Sequence, residues 1–283
     1  MTNDIYAARA ALHMWEEPCI SGEHGSGAVF FSGCTLRCIF CQNAEIAAAH
    51  VGKKITVERL SDIFLELQDK CANNINLVTA THFVPQVAEA LIKAKNKGLV
   101  IPVVYNSSAY ENVSTLNMLD GLVDVYLPDM KYIDSRLSAE YSKAPDYADV
   151  AKAAIHEMVR QTGKPEFFIV DDELVKSGRV EAGIMKKGVI VRHLVLPGTT
   201  KDSKAVIKYL IDTYGDDIYI SIMSQYTPFE RLKKHPLLSR KVTRKEYNSV
   251  VDYAIDCGIN NGFIQEGDVA EESFIPEFDY EGI

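Results

Sequence analysis

The sequence has a deficit of positive charge. Among its 283 residues, 30 are Lys or Arg and 39 are Asp or Glu, which gives a formal net charge of -9. Proteins that bind nucleic acid neutralise its phosphates with Lys and Arg, so this balance makes nucleic acid an unsuitable partner. The basic cluster RLKKH at 231–235 is expected to form a solvated face. We therefore expect no nucleic-acid partner.

The sequence also lacks a long apolar run. Its first residues, MTNDIYAARAALHMWEEP, carry acidic side chains early and have no apolar segment of the kind found in signal peptides. No apolar run elsewhere reaches the roughly 20 residues that a membrane-spanning helix needs. We expect no membrane partner and a cytoplasmic location. In that reducing compartment, clustered cysteines indicate metal binding or redox chemistry rather than structural disulfides.

The apolar pattern alternates between short β-type runs and longer helical periods. Several short runs are continuously apolar, which is typical of parallel strands that are covered on both faces. Strands and helices that alternate at this spacing indicate right-handed βα units, which build a barrel, a partial barrel or an open doubly wound sheet. The predicted strands are 27–32, 75–80, 100–106, 123–127, 166–170, 189–196 and 218–223.

Three helices carry specific end signals. The first has Thr56 as its N-cap and an apolar stripe that extends to Cys71. Asp202 is predicted to cap the second, and the third is expected to run from Thr243 to Cys257. Because both of these cysteines continue apolar stripes, we expect them in the core.

Polar residues follow several of the predicted strands. They occur at 79–82, at 106–108, at Asp129 with Lys131, and at 224–225. Ligands of parallel α/β folds bind at the carboxyl ends of the strands. The sequence therefore predicts one polar mouth at that edge of the sheet.

Cysteine is scarce, but half of it is clustered. The sequence has six cysteines, and three of them, Cys34, Cys38 and Cys41, fall within the segment FFSGCTLRCIFCQN. A loop that also holds Arg37 is a poor core segment, so burial of these thiols as small apolar groups is a weak explanation. The spacing also differs from the C-x2-C-x2-C pattern of bacterial ferredoxins.

Two kinds of metal site remain as alternatives. A structural zinc site needs four ligands, and Cys19, His24 or His50 could supply the fourth, although no second cysteine pair is present. The other alternative is an iron–sulfur cluster with three protein ligands and one open iron. An open coordination position distinguishes a metal centre that performs chemistry from one that only stabilises structure.

The cysteine spacing resembles a known family motif. C-x3-C-x2-C with an aromatic residue, Phe40, before the last cysteine is the motif of the radical S-adenosylmethionine (SAM) superfamily. The longer stretch WEEPCISGEHGSGAVFFSGCTLRCIFCQN resembles the iron–sulfur proteins related to pyruvate formate-lyase activating enzymes. The resemblance implies a partial (β/α)6 TIM-like barrel, a [4Fe-4S] cluster and SAM. It also implies reductive cleavage of SAM to methionine and a 5'-deoxyadenosyl radical.

The resemblance implies roles for the residues around the cluster. Cys34, Cys38 and Cys41 are expected to bind three irons, while the amino and carboxylate groups of SAM bind the fourth. Phe40 is expected to pack against the adenine. Where the activating enzymes have Gly-Gly-Glu, this chain reads VTATHFVPQ, so Thr79, Thr81 or His82 is expected to replace that contact to the amino group of the cofactor.

The remaining predicted contacts come from later strand ends. Asn106 and Ser107 suit the ribose hydroxyls, although they are equally suited to cap the next helix. Asp129 and Lys131 lie two apart and so project from one face of a strand. Arg192 is the only charge on an apolar strand face and needs an anion, which is either the cofactor carboxylate or a protein acid.

These expectations combine into a single radical SAM domain over residues 1–283. It comprises an N-terminal extension at 1–26, a barrel core at 27–230 and a C-terminal extension at 231–283. The expected partners are a reductant protein, such as flavodoxin or ferredoxin, and a glycyl radical enzyme as substrate. The alternatives are the same chemistry on a small molecule, and a non-catalytic iron–sulfur or zinc protein. The N-terminal residues His13, Trp15, Glu16, Glu17 and Cys19 are expected either in a substrate-side lid or at the barrel base.

Overall fold

The computed structural model describes residues 4–265 and 276–283. The strands are β1 (Ile5–His13), β2 (Ser26–Phe31), β3 (Lys53–Ile55), β4 (Ile75–Val78), β5 (Val103–Ser107), β6 (Val125–Pro128), β7 (Glu166–Phe167), β8 (Met185–Leu194), β9 (Tyr219–Met223) and β10 (Gly262–Ile264). The helices are α1 (Pro18–Ser21), α2 (Ala44–Ala47), α3 (Val57–Asp69), α4 (Val84–Asn96), α5 (Val113–Leu116), α6 (Ser135–Ser142), α7 (Tyr147–Thr162), α8 (Glu173–Lys176), α9 (Thr200–Tyr214) and α10 (Arg244–Asp256). Within the described ranges, no helix combines the length and the apolar character that a membrane span requires.

The strands form one open sheet. Their order is β10-β9-β8-β6-β5-β4-β2-β1-β3, and β7 pairs with β8 beside this path. From β2 to β10 the neighbours are parallel, whereas β1 is antiparallel to both β2 and β3. Because β10 and β3 stand at opposite ends of this order, the sheet is an unclosed barrel. The predicted α/β class with a partial TIM-like barrel is therefore confirmed.

The segment that follows β1 enters the barrel. Cys19 and Ile20 of α1 are buried against interior side chains of the central strands, including Val104 and Ile190. The amide of Asn74, next to the start of β4, donates to the carbonyl of Ile20 at 2.7 Å. The amino-terminal half of the interior is thus filled by apolar side chains, and its carboxyl-terminal half remains available for a site.

Of the three predicted helix N-caps, two are confirmed and one is wrong. Thr56 caps α3 by accepting from the N–H of Arg59, and Thr243 caps α10 in a capping box with Glu246. The prediction for Asp202 is wrong. Thr199 is the N-cap residue of α9, and the buried Asp202 carboxylate instead accepts from the N–H of Asp134 at 2.7 Å. Asp202 therefore ties α9 to the start of α6.

The prediction that Cys71 lies in the core is also wrong. Helix α3 ends at Asp69, and Cys71 is exposed with a φ of 63°. The apolar pattern of the sequence extends to Cys71, but the backbone has left the helical conformation before that residue. Cys257, the C-cap residue of α10, is only partly buried.

One strand prediction differs from the structure, and three observed strands were not predicted. Of the run 166–170, only Glu166–Phe167 is a strand, and it pairs antiparallel with β8 outside the parallel series. Ile169 and Val170 are 63% and 73% exposed, so an apolar run here does not mark a buried strand. The strands β1, β3 and β10 were not predicted. Each depends on pairing with a distant partner more than on a continuous apolar run.

Candidate active site

A cavity of about 260 Å³ opens at the carboxyl ends of the parallel strands, and we call it the main cavity. The polar strand ends predicted from the sequence meet here, as the geometry of parallel α/β folds requires. All the residues predicted to bind the cluster or cofactor line it, namely Cys34, Cys38, Phe40, Cys41, Thr79, Asn106, Ser107, Asp129, Lys131 and Arg192. The structure therefore brings together the whole predicted set.

The loop between β2 and α2 presents the three thiols. Its carbonyls are held by two arginines, because Arg37 donates to the carbonyl of Cys34 at 2.6 Å and Arg231 donates to that of Cys41 at 2.7 Å. The Cys38 sulfur lies 3.0 Å from the Ser142 hydroxyl of α6. Arg231 corrects the expectation that the RLKKH cluster is only a solvated face. This contact joins residues far apart in sequence, so no local signal could have revealed it.

The thiols have the chemistry of a metal-binding set. All three are free of disulfide bonds. Burial raises the pKa of Cys34, and burial with the nearby Cys38 raises the pKa of Cys41 to about 11. Such thiols become thiolates when a cationic metal centre binds them. Among the described residues, no three His, Cys, Asp or Glu side chains form a preorganised site for a single ion. The donor set fits an iron–sulfur cluster, whose irons are held by thiolates.

A chain of ion pairs crosses the wall opposite the thiols. Lys131 lies 2.6 Å from one carboxylate oxygen of Asp129, and Arg192 donates to the other at 3.0 Å. Burial opposes the charge of each group, but their mutual attraction lowers the pKa of Asp129 and raises those of Lys131 and Arg192. All three are therefore charged at neutral pH. The positive charge of Lys131 also interacts with the thiols, since Cys38 is one of the groups that raise the pKa of Lys131.

Arg192 also pairs with an acid from the N-terminal segment. It donates to one carboxylate oxygen of Glu16 at 3.0 Å, and the amides of Asn76 and Asn106 donate to the other at 3.1 Å each. The Glu16 carboxylate is thus part of the cavity wall and not of an outer lid. The next residue, Glu17, is buried, and one of its carboxylate oxygens has no hydrogen-bond partner in the described part of the chain. The sequence left either the cofactor carboxylate or a protein acid as the partner of Arg192. The structure shows two protein acids in this role, Glu16 and Asp129.

The segment after β4 has no glycine, but one of its residues adopts the left-handed backbone conformation that glycine adopts most easily. Thr79 has a φ of 60°, a strained value for a β-branched residue, and its N–H donates to the carbonyl of Asn106 at 2.8 Å. Thr81 donates to the carboxylate of Glu111 at 2.6 Å and so ties the segment to the loop after β5. The strain indicates that the rest of the wall holds Thr79 in this conformation.

Two further predictions concern packing and capping. Phe40 is 6% exposed and packs edge-on against Tyr226 at 6.4 Å, so the ring belongs to the core and also lines the cavity. The hydroxyl of Ser107 accepts from the N–H of Ala109, whereas the N-cap position of α5 is Asn112. Neither Asn106 nor Ser107 caps that helix. The side chain of Asn106 contacts Glu16 and Arg192 in the cavity wall, whereas the hydroxyl of Ser107 lies on the other face of the strand near Glu111.

Comparisons with known proteins agree with this architecture. The chain matches the family model of the Radical SAM superfamily over residues 28–210. An uncharacterised protein of Methanocaldococcus jannaschii is 27% identical over 258 residues, which are 89% of this chain and 67% of that protein.

The solved structures show similarity of fold. Streptococcus suis SuiB bound to precursor peptide SuiA has a TM-score of 0.53 and 14% identity over 83% of this chain and 47% of that one. SuiB bound to S-adenosylmethionine has a TM-score of 0.52 and 15% identity over 83% and 45%. Methylornithine synthase (PylB) has a TM-score of 0.51 and 12% identity over 79% and 59%. This chain spans about half the length of the SuiB structures.

Proposed function

This chain belongs to the radical SAM superfamily, whose members use a [4Fe-4S] cluster and SAM, and we propose that its substrate is a polypeptide. More narrowly, we propose that it removes a hydrogen atom from a backbone glycine of a partner protein, as activases of glycyl radical enzymes do. When bound and reduced, the cluster supplies the electron that cleaves SAM to methionine and a 5'-deoxyadenosyl radical. This chemistry would supply hydrogen-atom abstraction from a substrate C–H bond at the cavity, with 5'-deoxyadenosine and a substrate carbon radical as the products.

The cavity residues divide between cluster and cofactor in this proposal. Cys34, Cys38 and Cys41 would hold the cluster, and since no other cysteine of the described residues lines the cavity, one iron would stay open to SAM. Lys131 lies near the thiols and Asp129, where its charge suits the SAM carboxylate. Arg192 is held in orientation by its protein acids, so its position is fixed before the cofactor binds.

The observation that carries the polypeptide substrate is the open side of the barrel. The sheet ends at β3 and β10 without closing, and the main cavity extends to Trp15 and Pro276 beside β1. A backbone glycine in a protein loop needs a lateral entrance of this kind, whereas a small molecule can enter from above. SuiB, which shares this fold over part of its length, has been solved bound to a precursor peptide, and this supports a polypeptide as the substrate class.

The reaction needs one electron for each SAM cleaved. We propose that a protein donor of the flavodoxin or ferredoxin type delivers it, because these carry single electrons at low potential. In vitro, dithionite can replace the donor, which separates the test of the chemistry from the identity of the partner.

The proposal predicts SAM cleavage by the full chain after anaerobic reconstitution with iron and sulfide. With dithionite present, we expect 5'-deoxyadenosine to form. Replacing Cys34, Cys38 or Cys41 by Ala is expected to lower its rate below about one hundredth of the wild-type value, because a cluster ligand is lost. Cys71→Ala is the matched control, since Cys71 is exposed and outside the cavity wall, and it should retain the rate.

The substrate class is tested separately. A candidate glycyl radical enzyme with α-deuterated glycine should transfer deuterium to 5'-deoxyadenosine and show a glycyl radical signal by electron paramagnetic resonance. Deuterium transfer only from a small molecule would contradict the polypeptide assignment. Bound tetrahedral zinc with a fourth protein ligand, or unchanged rates in all three cysteine variants, would contradict the active-site assignment itself.

A further inference from the structure

A second cavity lies beside the main cavity, next to β1. It has a volume of about 170 Å³, and we call it the side cavity. His13, Trp15, Phe30 and Pro276 line both cavities. A ligand in the side cavity is therefore connected to the space that the three thiols face.

Most of the side chains that line the side cavity are apolar, polar atoms are also exposed on its wall, and the charge on this wall is balanced. Among the described residues that line it, Arg9 alone is charged, and its guanidinium is paired with Asp279 at 2.6 Å and with Glu281. Burial and the charge of Arg9 lower the pKa of His13, so its imidazole is neutral at pH 7. The other described residues that line the side cavity have apolar side chains. This lining suits an uncharged apolar group and disfavours a carboxylate or an amine.

Large apolar side chains surround the entrance. Leu12, Met14 and Trp15 are 39%, 42% and 60% exposed, and all three line the side cavity. Single exposed apolar residues are ordinary, but a contiguous group beside a cavity marks a contact surface. The group is continuous with the main cavity through Trp15.

The edge of β1 offers backbone hydrogen bonds beside this surface. The carbonyl of Ala8 accepts from the backbone N–H of Tyr280, and the N–H of Ala10 donates to the backbone carbonyl of Glu281, so these groups point away from β2. Alternate residues of a strand point the same way, which places the N–H and C=O of Leu12 on the same edge. An extended polypeptide can pair with such an edge while one of its side chains enters a pocket.

We propose that the side cavity binds a benzene-sized apolar side chain of the polypeptide substrate while Leu12 pairs with the substrate backbone. The size follows from volume, because apolar cavities of about 150 Å³ in proteins bind benzene. The inference rests on the proposed function in taking the substrate as a polypeptide. The neighbouring substrate residue then lies at the main cavity with its C–H bond facing the thiols.

Trp15 provides a direct probe because it is the only tryptophan in the sequence. The full chain, reconstituted and supplied with SAM but not reduced, is labelled with 5-fluorotryptophan and observed by fluorine NMR. N-acetyl-phenylalanine N-methylamide should shift the single resonance saturably, whereas N-acetyl-glycine N-methylamide should not. The phenylalanine probe should also bind at least about fivefold more tightly than toluene, because toluene cannot form the backbone hydrogen bonds. If toluene binds as tightly as the phenylalanine probe, the proposed pairing of Leu12 with the substrate backbone is wrong.

A pair of matched variants tests the location. Ala11 lines the side cavity, and Ala11→Met fills it, so the phenylalanine probe should bind at least about tenfold more weakly. Ala153→Met makes the same change on the exposed face of α7 and should bind as the wild type does. Unchanged binding in Ala11→Met, or equal loss in both variants, would overturn the proposal. The resonance is read without turnover, so failure of SAM cleavage is a separate result.

Discussion

Glu111 is a buried carboxyl that supports the cavity wall from behind. It is 3% exposed, accepts hydrogen bonds from Thr81 and Tyr105, and has one oxygen without a partner in the described residues. Burial raises its pKa from 4.5 to about 7, even though these hydrogen bonds favour the charged form. The folded chain therefore binds this proton more tightly than the unfolded chain does.

The raised pKa predicts a pH dependence of stability. Between pH 4.5 and 7 the folded state holds the proton and the unfolded state has lost it, so the free energy of unfolding falls as pH rises. The contribution of Glu111 is on the order of 3 kcal/mol. Urea unfolding at pH 5 and pH 8 should show this fall in the wild type, reduced by that amount in Glu111→Gln. Equal falls in both proteins would contradict the buried protonated carboxyl.

Among single residues, those with a local pattern were the predictable ones. The spacing of Cys34, Cys38 and Cys41 needs no tertiary information, and Asp129 and Lys131 share a face by strand geometry alone. Glu111, Arg231 and Glu16 carry no such pattern. Their roles arise from contacts across the fold. The lone charge of Arg192 did signal that a buried anion must exist, but it did not identify which one.

The segment from Met14 to α1 acts as an element that fills the barrel. It supplies apolar side chains at the base and Glu16 at the level of Asn106 and Arg192. From the sequence it was expected either as a lid or at the base, and it contributes both to the base and to the cavity wall. Secondary-structure patterns could not resolve this, because α1 is one turn long.

Removing the Glu16 carboxylate should destabilise the fold. Glu16→Ala leaves Arg192 with a single acid and leaves amide N–H groups of Asn76 and Asn106 without an acceptor. We expect the free energy of unfolding to fall by about 3 kcal/mol, since a buried ion pair is broken on one side. Urea denaturation measures the change. The control is Asp62→Ala, which breaks the exposed pair with Lys97 and should cost less than about 1 kcal/mol. Similar small losses in both would argue against the buried network.

At the scale of the whole molecule, residues 276–283 return to the other end of the chain. Phe278 packs edge-on against Phe30 at 5.7 Å, and Tyr280 donates to the carbonyl of Ala8 at 3.1 Å. Arg9 holds this segment through Asp279, Glu281 and the carbonyl of residue 277. The segment thus places Pro276 at the entrance of both cavities.

Loss of the Arg9 anchor should release this segment while the barrel stays folded. In Arg9→Ala, the amides of residues 278–283 are expected to exchange with deuterium at least about tenfold faster, because local opening no longer breaks the ion pairs. Exchange in β4 and β5 should not change. Arg136→Ala is the control, since its pair with Asp134 is local and exposed. Hydrogen exchange followed by mass spectrometry distinguishes these outcomes, and unchanged exchange at 278–283 would show that other contacts hold the segment.

The sequence by itself determined the family motif, the parallel strands of the barrel and the set of side chains at their carboxyl ends. These features follow from spacing along the chain, since a cysteine motif, an apolar run and a polar strand end are each local. Only the tertiary structure decided that Glu16 pairs with Arg192, that Arg231 holds the cysteine loop, and that β1 and residues 276–283 border the open side. Each of these joins segments distant in sequence, and the position of a distant segment depends on how the whole sheet curves and fails to close.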